Sequence, residues 1–274
     1  MLEIPEAKII ATQCQKAVVG KTISGAVANH SPHGFAFYSG DPTLYGDMLK
    51  GKTLRAAAAF GGRVELLADE LSLCLNDGVN LRYLLPEEKR PPKHQLLLEF
   101  SDGSALYGTV QMYGGLTCLP AGTDTNFYDR VAREKPSPLT DEFSAAYFEK
   151  LLTDSTRKLS AKAFLATEQR IPGLGNGCLQ DILWKAKIHP KRKMSTLAEG
   201  DMETLYVTVK TVLAEMTEKG GRDTEKDLFG KSGGYRTVMS KQNKEMFCPA
   251  CGSPIKRMAY LGGNVYVCEG CQKQ

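Results

Sequence analysis

Apolar residues recur at helical spacing at the start of the chain, at strand spacing through its first half, and at helical spacing again in its second. Ile4, Ile9, Ile10 and the Ala/Val positions after them predict a helix over 3–18, with Pro5 tolerated in its first turn. From residue 21 to about 120 the apolar runs are short. Thr22–Val27, Arg63–Leu67, Leu71–Leu75 and Gln95–Phe100 read as strands. Ser101-Asp102-Gly103-Ser104 lies between Leu96–Phe100 and Ala105–Val110, a hairpin signal. Short strands at this spacing predict an antiparallel sandwich or barrel. The charged, proline-rich stretch Pro86–Lys93 reads as a surface loop. The texture changes over Asp124–Pro138, where Arg133-Glu134-Lys135-Pro136-Ser137-Pro138 reads as a linker. Beyond it Asp141–Leu152, with Phe143, Tyr147, Phe148 and Leu151 on one side, Ser160–Ala166, Asn176–Lys187 and Asp201–Lys219 predict helices. Gly220-Gly221 stops the last of these. Residues 222–246 predict a polar, mobile loop, and no internal repeat is found.

The pattern predicts an α+β multidomain chain: 1–130, an N-terminal helix plus β-sandwich; 131–246, a helical domain; and 247–274, a cysteine-bearing module. At 274 residues, 42% hydrophobic and 24% charged, the chain can bury ordinary cores. No apolar run approaches the ~18 residues of a membrane span. The opening Met-Leu-Glu-Ile-Pro-Glu lacks a basic-then-apolar leader pattern. A cytoplasmic, monomeric protein with no membrane partner is expected. The net charge of +4 is modest, but Asp154–Lys193 holds nine Lys/Arg against three Asp/Glu. That excess suits a polyanion and equally a solvated helical face; charge alone does not choose. Cys14, Cys74, Cys118 and Cys178 are scattered and read as reduced thiols.

The other four cysteines form two pairs, Cys248-Pro-Ala-Cys251 and Cys268-Glu-Gly-Cys271, sixteen residues apart. This is a zinc-site spacing. Each pair puts two thiolates on one ion, and together they close a tetrahedral site with no open position. One structural Zn²⁺ per chain is expected, supplying folding energy to a tail too short for a core. A redox pair or disulfides compete with this reading; two matched pairs in an intracellular chain favour the metal. Ile255–Val267 predicts a β-hairpin turning at Gly262-Gly263-Asn264.

Gln169 to Gln180 carries Ile171-Pro172-Gly173-Leu174-Gly175-Asn176 between two helical patterns. Glycines let a backbone approach a phosphate closely, and helix-start amides can donate to it. Asn176 adds a donor there, and Lys162 a charge. An ordinary helix–helix connection explains the turn alone equally well.

Together, Glu3 and Pro5-Glu6, the β-rich half, Ile171–Asn176 and Cys248…Cys271 resemble the formamidopyrimidine-DNA glycosylase / endonuclease VIII family, in the same element order over almost the full length. The resemblance implies a β-sandwich facing a helix–two-turn–helix domain and a β-hairpin zinc finger. Damaged or abasic double-stranded DNA would lie between them with a nucleotide flipped out. It implies Lys162, Gly175 and Asn176 as holders of the DNA backbone, and residues 222–238, including Tyr235, as the loop over the flipped base. It further implies an N-terminal amine as nucleophile, from Leu2 or, if Met1 persists, from Met1. Glu3 is the implied acid/base and Glu6 its supporting carboxylate.

The chain departs from the family at four places. Leu2 replaces a proline. The family's hairpin lysine falls on Gly62, with Arg63 adjacent to supply charge. The finger arginine falls on Gly263. The intercalating positions fall on Asn76–Val79 and Gln111–Tyr113, where Tyr113 can wedge. The expectation is a base-excision glycosylase with weak or absent strand nicking. The alternative is a non-catalytic DNA-binding protein on the same scaffold that senses distorted or abasic DNA.

Overall fold

The structure, a computed structural model, describes residues 1–243 and 247–273. The last three positions of the predicted 222–246 loop lie outside the described residues.

Helix α1 (Ile4–Ala17) leads into nine strands. These are β1 (Ile23–Ala28), β2 (Ala36–Tyr38), β3 (Leu54–Phe60), β4 (Arg63–Ala68), β5 (Leu71–Asn76), β6 (Val79–Leu84), β7 (Leu96–Phe100), β8 (Ala105–Val110) and β9 (Gly114–Pro120). The short helix α2 (Tyr45–Leu49) sits between β2 and β3. The strands form two sheets, ordered β1-β7-β8-β6 and β2-β9-β5-β4-β3. All pairings are antiparallel except β2 with β9. Ile23, Leu81, Leu98 and Leu106 of the first sheet share a buried core with Val64, Leu66, Leu73 and Leu116 of the second. This is the expected sandwich. Strand β4 alternates in and out, as a strand with one covered face must. Strand β5 is buried at every position, because α3 (Phe127–Glu134) covers its other side.

That helix fills the front of the Asp124–Pro138 stretch and takes in Arg133 and Glu134, the first two residues of the expected linker. It forms because the Asn126 side chain accepts from the N–H groups of Tyr128 and Asp129. It stays docked because Arg133 reaches Glu65 of β4 and Asp129 lies 4.0 Å from Arg63 of the same strand. The connector is therefore shorter than expected, beginning at Lys135. Helix α4 (Ala145–Lys150) also starts later than expected, at the Ser144 cap. Helices α5 (Ala161–Ala166), α6 (Asn176–Lys185) and α7 (Glu199–Glu218) follow their patterns. Leu205, Val209, Val212, Leu213 and Met216 of α7 repeat at helical spacing and join Phe143, Phe164, Leu179 and Ile182 in a second core. The tail is a hairpin of β10 (Ile255–Tyr260) and β11 (Gly263–Cys268). Its turn is Leu261-Gly262, so Gly263 and Asn264 are strand residues, one step away from the expected turn.

Helix α1 serves both cores. Leu2, Ala7, Ile10 and Cys14 point into the sandwich, whereas Ile4 belongs to the helical core. The segment after α7 crosses back: Leu228 is part of the sandwich core, Tyr235 of the helical one. The expected loop is irregular but pinned at both ends of its polar stretch. Among the described residues no helix is long and apolar enough to cross a membrane.

Candidate active site

The N-terminus is drawn between the two cores. The Ile4 N–H donates to the Gly173 carbonyl (3.0 Å), and the Leu2 N–H to the Asp77 carbonyl (2.6 Å). Glu3 is thereby held at the start of α6, where the first-turn amides have no helical partner. Its carboxylate accepts from the N–H groups of Gly175 (3.1 Å), Gly177 (2.8 Å) and Cys178 (2.9 Å). The side chain is 4% exposed. A carboxylate here meets both the orphan donors and the positive end of the helix.

Arg222, the residue after the Gly220-Gly221 helix stop, was not signalled by any motif. It is buried between the two acidic residues of α1. Its guanidinium makes a two-pronged bond to Glu6, through Nε (2.9 Å) and Nη2 (2.7 Å). Nη1 lies 3.2 Å from Glu3 Oε1. Glu3, Glu6 and Arg222 therefore form one buried ionic group. Burial pushes the Glu3 carboxyl up, but the Arg222 charge and the Cys178 and Gly177 donors outweigh it, leaving it below the ordinary range.

On the other side of the α6 start, Asn176 Nδ2 donates to the Asn264 carbonyl (2.9 Å) of the hairpin. Lys162 Nζ donates to the Tyr260 carbonyl (2.6 Å). Lys162 is 4% exposed, and burial lowers its pKa. Among the described residues it pairs with no carboxylate. A buried ammonium with three donors and a single neutral acceptor is underserved. Gly263 faces this pair, its Cβ direction 3.5 Å from Asn176 Nδ2 and 3.6 Å from Lys162 Nζ. The predicted Glu3, Glu6, Lys162, Gly175 and Asn176 are thus brought together around one helix start.

The remaining predicted residues lie elsewhere or differently. Leu2 is a core side chain, and with Met1 in place its nitrogen is an amide, not an amine. The Met1 ammonium instead pairs with Glu225. Gly62 packs against the backbone: a Cβ there would lie 2.9 Å from the Leu2 carbonyl and 3.2 Å from Gly173 Cα. Arg63 does not turn toward that place; its guanidinium is 4.0 Å from Asp129 and largely buried. Tyr113 is half exposed on the β8–β9 turn beside the more exposed Met112, whose φ is 70°. Tyr235 is buried, its ring under Lys185 and Lys219, and faces Asp181 rather than the groove. Beside Glu225 an open polar pocket of about 330 Å³ is lined by Asn80, Arg82, Tyr107, Thr109 and Gln111. A second pocket, about 280 Å³ between β9 and α3, holds none of these groups.

The four tail cysteines converge: their sulfurs all lie within 4.8 Å of one another. Cys248–Cys271 is 3.8 Å and Cys251–Cys268 is 3.3 Å. A tetrahedral ion with sulfur at ~2.3 Å sets such sulfurs roughly 3.8 Å apart, so the cluster fits a metal ion. Trp184, on α6, points its indole N–H at Cys248 Sγ (3.3 Å). Donors of this kind orient thiolate ligands. Gln180 accepts from the Tyr266 N–H (2.6 Å), tying the hairpin to the same helix that holds Glu3.

Comparison with known proteins bears on this arrangement. Residues 135–227 match the family model "Formamidopyrimidine-DNA glycosylase H2TH domain". The chain is 28% identical over 286 residues to the formamidopyrimidine-DNA glycosylase of Lactobacillus delbrueckii subsp. bulgaricus, covering 100% of both chains. It is 26% identical over 278 residues to that of Bacillus cereus, covering 99% of both. Its fold is shared with Lactococcus lactis Fpg solved with abasic-site-containing DNA, at TM-score 0.83 and 21% identity, covering 99% of this chain and 100% of the other. It is shared also with MutM (Fpg) of Thermus thermophilus, at TM-score 0.82 and 22% identity, covering 98% of each.

Proposed function

From the premise that this chain belongs to the formamidopyrimidine-DNA glycosylase / endonuclease VIII family, we propose that it is a base-excision repair DNA glycosylase. It binds duplex DNA carrying a damaged or abasic nucleotide, flips that nucleotide out, and cleaves the N-glycosidic bond, with weak or absent strand nicking. The observation that carries this reading is the single helix start of α6, which holds a buried carboxylate, Glu3, on one side and two phosphate-type donors, Lys162 and Asn176, on the other.

In this reading the backbone beside the lesion meets Lys162 and Asn176, whereas the Gly175 N–H is taken by Glu3 and is not offered to it. The polar pocket bounded by Asn80, Arg82, Gln111 and Glu225 receives the base, and Tyr113 wedges the stack. The cysteine cluster holds one structural Zn²⁺, which supplies rigidity to the hairpin and takes no part in the chemistry. The parts divide as 1–130 for the reacting sugar, 131–246 for the backbone and 247–274 for the finger.

The deciding experiment offers a panel of duplexes with oxidised, alkylated and abasic nucleotides and measures free base and borohydride-trapped adduct, with Glu3→Gln as control. Base release that Glu3→Gln reduces by on the order of 100-fold or more supports the glycosylase. One set of observations favours the second reading, a non-catalytic sensor: the Leu2 nitrogen is engaged by Asp77 and the Gly62 position is filled by backbone. Binding without release or trapping across the whole panel would establish it.

A separate prediction concerns affinity. Lys162→Met is expected to weaken binding to all sequences alike, and to reduce the slope of log K against log salt by roughly 1, the signature of one lost phosphate contact. An unchanged slope would remove Lys162 from the interface.

A further inference from the structure

The family resemblance implies a proton-transferring role for Glu3. Its surroundings point to another role. A carboxylate has about four lone-pair sites. Here Oε1 takes the Gly177 N–H and Arg222 Nη1, and Oε2 takes the Gly175 and Cys178 N–H groups. All four are filled by donors that cannot turn away: three are backbone amides of a helix start, and the fourth belongs to a guanidinium whose other edge is clamped on Glu6.

The helix makes room for that guanidinium. A Cβ on Gly177 would stand 1.5 Å from Arg222 Nη1 and 2.7 Å from Glu3 Oε1. Any other residue at 177 and Arg222 in its present place exclude one another. Gly177 and Arg222 are thus one device, although 45 residues apart in the sequence. Two carboxylates against one guanidinium leave the buried group with one net negative charge. The other groups near it are the Cys178 thiol on α6, Asp77 on the β5–β6 turn, Tyr113 on the β8–β9 turn, and the Met1–Glu225 pair.

We infer that Arg222, admitted by Gly177, is a positioning residue that fixes Glu3 as a permanent anion, so that Glu3 acts on the reacting sugar by its charge and not by carrying a proton. This rests on the glycosylase reading. As the bond from C1′ to the base nitrogen breaks, its electron pair leaves with the base and C1′ becomes cationic. A fixed anion beside it stabilises that charge without reorganising. Water then adds its oxygen to C1′. One water proton stays on the new hydroxyl, and the other reaches the departing base through solvent rather than through Glu3.

The test reads Glu3 directly. Protein labelled with ¹³C at the glutamate side-chain carboxyls is titrated by NMR, with the Glu3 signal assigned by its loss in Glu3→Gln. The wild type is expected to show no Glu3 protonation down to the acid at which the fold is lost, well below the ordinary ~4.3. In Arg222→Met and in Gly177→Ala the midpoint is expected to rise by about one unit or more, a tenfold change in proton affinity. Single-turnover base release should gain an ionisation at that same midpoint, absent from the wild-type profile. Wild-type titration at or above ~4.3 would overturn the inference, as would variants that leave the midpoint and the profile unmoved. If the variants do not fold, the wild-type titration decides. If the wild type releases no base, the glycosylase reading falls while the titration still reports whether Glu3 is a fixed anion.

Discussion

Replacing Cys248 with serine is expected to collapse the C-terminal hairpin and to remove most of the affinity for DNA. The hairpin has only a small core of its own: Ile255, Val265, Tyr266 and Val267 are buried, and the other buried apolar residues of the hairpin module, Cys248 and Cys268, belong to the cysteine cluster. Apolar burial of this size does not offset the ordering of some twenty-five residues. An apparent binding energy of about 10–16 kcal/mol for structural zinc does. Loss of one thiolate, or chelation of the ion, should therefore release β10 and β11 together, and with them the carbonyls that meet Lys162 and Asn176. The chain carries a single tryptophan, and Trp184 donates to Cys248 Sγ. Its fluorescence gives a built-in reading of the event. Native mass spectrometry should find one zinc in the wild type and none in the variant. Full DNA affinity after chelation, or no change at Trp184, would show that the cysteines hold no structural ion.

Gly173→Ala is expected to cost about 3–5 kcal/mol, lowering the melting temperature by on the order of 10 °C. Two effects add. The φ of Gly173 is +78°, where a side chain costs roughly 1 kcal/mol or more. Its Cβ would also lie 2.0 Å from Gly62 N and 2.3 Å from the Gly61 carbonyl carbon. That contact is backbone on backbone, so nothing flexible can yield. It is also where the β3–β4 turn of the sandwich meets the connection before α6, next to the bond from Ile4 to the Gly173 carbonyl. Gly20→Ala is the control: its φ is +89° but its Cβ would meet nothing within 4 Å. It should show the backbone term alone. Equal melting temperatures for the two variants would mean that the junction at Gly61–Gly62 contributes nothing.

Much of this was legible in the chain itself, for reasons that can be named. Cysteine pairs have few uses, so the tail could be read from spacing alone. Helix α7 could be read because one face is buried and the other wet, and α6 because its apolar residues follow the Gly175-Asn176 start even though Cys178 to Leu183 are all buried. Strands β3 and β9 could not: Ala56 to Ala59 has no strand preference, and the Gly114-Gly115 opening of β9 reads as turn. Helix α3 gave no clear pattern because it buries only Val131 and Ala132 of its apolar residues, leaves Phe127 and Tyr128 exposed, and is tied down by Arg133 to Glu65.

The site divides along the same line. Glu3, Lys162 and Asn176 were reachable through the family resemblance. Arg222 was not, since a single arginine after a helix stop carries no local pattern. The signal that could have found it is Gly177: a glycine one step into a helix is costly and implies something pressing against it. Arg63 was misleading for the opposite reason. Gly62 lies in the β3–β4 turn against the Leu2 carbonyl, whereas Arg63 is the first residue of β4 and points at Asp129, so it cannot stand in for a side chain at Gly62.

The placement of α1 has a consequence for how the chain is made. Glu6 is synthesised 216 positions before the guanidinium that neutralises it. Ile4 likewise waits for a core contributed by residues beyond 140. A sandwich assembling during synthesis would therefore hold helix α1 half-finished, with two uncompensated carboxylates, until Arg222 has emerged. Truncation before residue 222 should yield a product that chaperones retain and proteases remove, however well its β-strands pair.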